Sequence, residues 1–255
     1  FPPMVFDCQK PWVENGGLLC DYVGRYWGQE HIERERQLEA IKNIKSSINK
    51  GIPAISWDIG VPEWGLITGY DDAIQMFDTL AINAEKADPT STAYSNVKMP
   101  YDALGKREIP ILSVLTITGS SDKTKEEILL NTMKLAVNHL KGGEWCDNAK
   151  GLDAYPALIR IFDENPDIAS SWNAEYFLGT YGALKEYAYK YFEVAGKPEL
   201  AELYRTVFNA WMEAFKIKSN EDATLAEVRA RIIALLKSAY EKEKEAVQVM
   251  ESLVR

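Results

Sequence analysis

Gly51-Ile52-Pro53-Ala54-Ile55-Ser56-Trp57-Asp58 and, a turn later, Glu63-Trp64-Gly65-Leu66-Ile67-Thr68-Gly69-Tyr70-Asp71-Asp72 form the stretch that decides the fold class. Short runs of apolar and β-prone residues, bounded by Gly, Pro and Asp, predict two strands joined by a turn at Gly60 and Pro62. Asp71-Asp72 predicts a tight turn into a third strand over 73–78. Upstream, Ile32, Leu38, Ile41, Ile44 and Ile48 recur at helical spacing in a charged segment over 29–49, which Gly51 and Pro53 stop. Downstream, a weak strand signal near 94–98 precedes the near-continuous apolar run 109–117, the pattern of a buried strand. A small antiparallel sheet beside a helix follows.

The chain changes character near residue 119. From there, helical periodicity predicts helices over 122–140, 152–163, 168–195 and 198–217, punctuated by Gly142-Gly143, Asn165-Pro166 and Gly196. A final helix opens at Thr224 and Glu227, spaced as a capping box. The predicted class is α+β, with a sheet domain over 1–118 and an all-helical bundle over 119–255.

The 255 residues carry 29 Lys+Arg against 38 Asp+Glu, a net charge of −9, which argues against a partner bound through its phosphate backbone. No apolar run approaches the roughly 20 residues of a membrane span. Cys8, Cys20 and Cys146 have neither metal-ligand spacing nor the look of a disulfide framework. Phe1-Pro2-Pro3 opens the chain without a signal peptide's basic and apolar regions. A soluble, cytoplasmic protein is expected, with no nucleic-acid or membrane partner and no metal or cofactor.

Hydrolytic machinery is not apparent. His31 sits in a charged helix and His139 near the end of another, both in structural or solvated surroundings. What stands out is acid: Asp58, Glu63, Asp71, Asp72 and Asp78 fall on three successive short strands. Alternation puts Glu63, Gly65, Ile67, Gly69 and Asp71 on one face, where the two glycines leave room for a ligand or a backbone. The aspartates also suit plain turn duty. Trp57, Trp64, Tyr70 and Tyr101 are candidate walls. In the helical half, Trp172, Tyr176, Tyr181, Tyr187, Tyr191, Trp211 and Phe215 are spaced as core residues.

The stretches quoted at the outset, with Phe77-Asp78, Pro100-Tyr101-Asp102-Ala103-Leu104-Gly105 and Gly151-Leu152-Asp153-Ala154-Tyr155, resemble papain-like proteins akin to bacteriocin-processing peptidases, and most closely the butirosin biosynthesis protein H N-terminal family. The resemblance implies a papain-like sheet subdomain. It puts Glu63 where that group keeps its base His, puts Asp78 in the place of the orienting acid, and places the nucleophilic Cys upstream of Phe1. It also implies a small-molecule ligand and an acyl carrier protein as partners.

Three functions follow as expectations. The first is a degenerate papain-like protein holding a small amine-containing ligand between sheet and bundle, against Trp57, Asp58, Trp64, Tyr70, Asp71, Asp72 and Tyr101. The second is an acyltransferase or amidase using Glu63 as base and Asp78 as orienter, with a nucleophile outside the chain. The third is a helical protein-interaction module.

Overall fold

The computed structural model describes residues 9–82, 94–143 and 149–255, so Cys8 and Cys146 lie outside the described residues. The chain divides into two compact units, Phe1–Thr124 and Lys125–Arg255, a few residues past the expected boundary. It is an α+β protein.

The first unit contains α1 (Gln9–Asn15), β1 (Leu18–Arg25), α2 (Glu33–Asn49), β2 (Ala54–Ser56), β3 (Gly65–Asp71), β4 (Met76–Ile82), β5 (Tyr94–Pro100) and β6 (Leu112–Ser120). The strands form one antiparallel sheet in the order β1-β6-β2-β3-β4-β5. β1 had no clear sequence signal, because Asp21 and Gly24 interrupt its apolar residues. The hydrophobic core lies between α2 and one sheet face, where Ala40, Ile41 and Ile44 meet Ala54, Ile67, Phe77, Met99 and Val114. Leu38 departs from the expected stripe and is exposed.

Two local corrections matter. β4 starts at Met76 rather than Ala73, because Asp72–Gln75 are consumed by the turn: Asp71 Oδ1, at the end of β3, accepts from the Ala73 N–H at 2.9 Å, and Gln75 takes φ 56°. β3 also carries a bulge at Thr68, since Ile67 pairs with Thr79 but Gly69 pairs with Asp78. The extra residue reverses the alternation, so Tyr70, opposite Phe77, joins the core face that Ile67 occupies.

The second unit is helical: α3 (Lys125–Leu140), α4 (Ala154–Glu164), α5 (Pro166–Ser170), α6 (Trp172–Val194), α7 (Pro198–Asn220) and α8 (Ala226–Val254). The single helix expected over 168–195 is two, because the chain turns at Ser171, whose Oγ accepts from the Ala174 N–H and caps α6. The expected capping box is not formed: Leu225 is the N-cap of α8, and the Thr224 hydroxyl donates to Asp222 at 2.7 Å. One core gathers Phe162, Leu178, Val207, Trp211, Ile232 and Leu236, and a second gathers Met133, Phe192, Leu200, Tyr204 and Met250. No helix among the described residues is long and apolar enough to cross a membrane.

Candidate functional site

The predicted site residues separate into three groups. Trp57, Asp58, Glu63 and Trp64 sit in and around the loop between β2 and β3. The Trp57 and Trp64 rings meet edge to face at 5.4 Å, and the Trp57 N–H donates to Ser113 O. Asp58 is buried at φ 58°; its Oδ2 accepts from the Ile109 N–H at 3.2 Å, while Oδ1 is buried without a protein partner. Burial pushes the Asp58 carboxyl above the usual carboxylate range, and the Ile109 bond and the nearby Arg107 only partly oppose this. Half-buried Glu63 joins its neighbours through the backbone, its carbonyl accepting from the Ile59 N–H.

Asp78 is elsewhere. It pairs across the sheet with Gly69, six residues past Glu63 and therefore about 20 Å along extended chain. The expected base and orienter are not brought together; exposed Asp78 pairs with Lys98 at 3.0 Å. The room expected beside the glycines is also taken. A Cβ on Gly65 would lie 2.7 Å from the Ile59 side chain, and one on Gly69 would lie 2.9 Å from the Asp78 carboxylate. Cys20 is no substitute nucleophile, because burial raises its thiol pKa.

The third group does assemble, around a residue that the sequence did not single out. Lys45 of α2 pairs with Asp72, and its Nζ lies 4.6 Å from the centre of the Tyr101 ring and 5.4 Å from that of Tyr70. The Tyr101 hydroxyl donates to Asp72 at 2.9 Å, and the Tyr70 hydroxyl donates to Asn49 at 2.8 Å. Lys45 and Tyr101 together hold the Asp72 carboxyl below its usual range. Burial and the bond to Asp72 push the Tyr101 phenol above its usual value. Carboxylate and ring faces are the chemistry that binds an ammonium group, and here the chain supplies that ammonium itself. A hollow of about 620 Å³ alongside is lined only by residues 38–50, with Lys42, Lys45 and Lys50 among them, so it repels an external amine.

The helical unit holds what sequence spacing missed. Trp211 is buried as expected, but Trp172, Tyr176, Tyr181 and Tyr187 are exposed on α6. Ala174, Leu178 and Gly182 make its buried face, and Gly182 lets the Trp211 and Met212 side chains come close. Between α6 and α7 lies a hollow of about 340 Å³ lined by Trp172, Glu175, Tyr176, Gly179, Thr180 and Phe215. Gly179 shapes it, since a Cβ there would come within 3.0 Å of the Phe215 ring. Glu175 is fixed at its edge by the Ser219 hydroxyl at 3.1 Å and by Lys218 at 3.7 Å.

Deeper in the same unit, Glu243 is 1% exposed and accepts from the Tyr155 hydroxyl at 2.6 Å and from Lys185 at 2.5 Å, while the Trp211 indole donates to Tyr155 at 2.8 Å. Burial and the Glu243 charge push the phenols of Tyr155 and Tyr204 well above their usual value. This satisfied network fixes how α4, α6, α7 and α8 align. Among the described residues, no three His, Cys, Asp or Glu side chains converge on a possible metal position. No protein-family model matches the chain, and no curated protein matches it in sequence.

Proposed function

We propose that the protein is a binding protein for an amine-bearing ligand, which sits in the hollow between α6 and α7. The observation that carries this is the hollow's lining: three aromatic side chains, Trp172, Tyr176 and Phe215, beside the Glu175 carboxylate. Lysine and arginine side chains of this chain rest on the rings of Tyr70, Tyr101, Tyr189 and Tyr240. Among the described residues, no such contact falls on Trp172, Tyr176 or Phe215, so these rings are open to a cation from outside.

The sheet unit belongs to this proposal as a papain-like scaffold with a supporting role. The order α2, β2, β3, β4 supports that relation, and the separation of Glu63 from Asp78 favours binding over acyl transfer.

Titration of the full chain with tetramethylammonium and with its uncharged carbon isostere, followed by Trp fluorescence and NMR, tests the reading. Ring contacts of about 0.5–2 kcal/mol each predict affinity in the millimolar range for so small a cation, with the isostere at least about fivefold weaker. Equal binding of the two, or binding that survives Phe215→Ala with Trp172→Ala, overturns it.

A further inference from the structure

We infer that the natural occupant is a basic peptide segment, with a lysine-type side chain in the hollow and the rest of the segment lying along the exposed face of α6. This rests on the hollow being an amine site and adds what presents the amine. A free small amine would cover only one end of the apolar surface. Trp172 and Tyr187 are each 70% exposed, and Phe177 and Leu184 are 45% and 54% exposed between them. The rings run on from the hollow, with centroids 5.1 Å apart for Trp172–Tyr176, 5.8 Å for Tyr176–Phe177 and 5.9 Å for Phe177–Tyr181. From Trp172 to Tyr187 the helix rises about 22 Å, the reach of roughly seven residues of extended peptide.

Charge selects the kind of peptide. Residues 161–184 contain Asp163, Glu164, Asp167 and Glu175 and no lysine or arginine. Among the described residues, only Glu175 of the four pairs with a cation, Lys218, which leaves exposed Asp163, Glu164 and Asp167 as the surplus. The next cation, Lys185, is committed to buried Glu243, and Lys190 beyond it pairs with Glu186. Ring faces and surplus carboxylates favour a cationic segment and disfavour an acidic one. The aliphatic stems of lysine and arginine suit the apolar strip between the charges.

The test uses the full chain and three probes: tetramethylammonium, an eight-residue peptide with a trimethylated lysine among arginines and glycines, and the same peptide with glutamates in place of the arginines. The basic peptide is expected to bind at least about tenfold more tightly than tetramethylammonium, and the acidic one more weakly than either. Leu184→Ser with Tyr187→Ser, outside the hollow, should weaken the peptide about fivefold and leave tetramethylammonium unchanged. No gain from the peptide context, equal binding of the acidic peptide, or indifference to the double substitution overturns the peptide inference while leaving the amine hollow intact. Failure of tetramethylammonium to bind removes the hollow as an amine site. A dimer in sedimentation that the double substitution dissolves would assign this face to a second copy and overturn the inference.

Discussion

The two units hold the same chemistry in opposite states. In the sheet unit, a carboxylate and two tyrosine rings surround an ammonium that the chain provides, Lys45 on Asp72, Tyr70 and Tyr101. In the helical unit, rings and the Glu175 carboxylate line a hollow where, among the described residues, no chain cation rests on the rings and Lys218 reaches only the carboxylate, at 3.7 Å. A patch of acids and aromatics is therefore not enough to mark a site. What decides is whether a lysine of the chain already lies over the rings, as Lys45 does and Lys218, paired with Glu175, does not. The sheet cluster holds α2 to β3 and to the residues after β5, whereas the hollow is available for recognition.

The comparison can be broken most forcefully inside the bundle, where a filled carboxylate is deepest. Glu243→Ala strands Lys185 and removes the acceptor for Tyr155, so it should cost about 3–5 kcal/mol in urea unfolding. Adding Lys185→Met should recover part of that loss; no recovery would mean that Tyr155, not the ion pair, carries the cost.

The same network sets a response to alkali. Tyr155 and Tyr204 have folded pKa values above those of the unfolded chain, so their contribution is complete below about pH 10 and is lost as pH rises beyond it, where only the unfolded chain ionises. Tyrosinate absorbance should show two phenols that ionise only together with loss of helical circular dichroism.

The filled sheet site comes next. Lys45→Met keeps much of the stem but removes the charge, and should lower stability by about 1 kcal/mol, less in high salt. At the open hollow, Trp172→Ala should move stability by no more than about 0.5 kcal/mol yet cut tetramethylammonium affinity severalfold. Gly179→Ala, which pushes on Phe215, should likewise spare folding and impair binding. If Trp172→Ala destabilised the bundle as much as Lys45→Met does the sheet unit, the contrast between filled and open sites would fail.

Much of the architecture was legible in the sequence. The apolar run at 109–117 foretold the interior strand β6, and Gly196 with Pro198 foretold the break between α6 and α7. The errors have local causes. Side-chain capping and turn bonds at Ser171 and Asp71 moved element ends, and one extra residue at Thr68 inverted a face. Tyr70, Asp72 and Tyr101 were found because their residue types suit an ammonium, but Lys45 was not, since spacing within one helix does not say what lies across from it. The exposed rings of α6 were misjudged for a related reason: its sequence is apolar nearly all round, so periodicity could not tell the buried side from the open one. The lack of basic residues over 161–184 was the available signal.

The bulge in β3 makes parity the hidden variable of the Gly69-Tyr70-Asp71 segment. A residue inserted in β4 between Asp78 and Thr79 would pair with Thr68, restore a regular ladder and turn the tyrosine ring to the far side of the sheet from Ile67, so that Lys45 would lose one of its two aromatic supports. Chains that share those letters but count one residue more in β4 should not be assumed to tether their helix in this way.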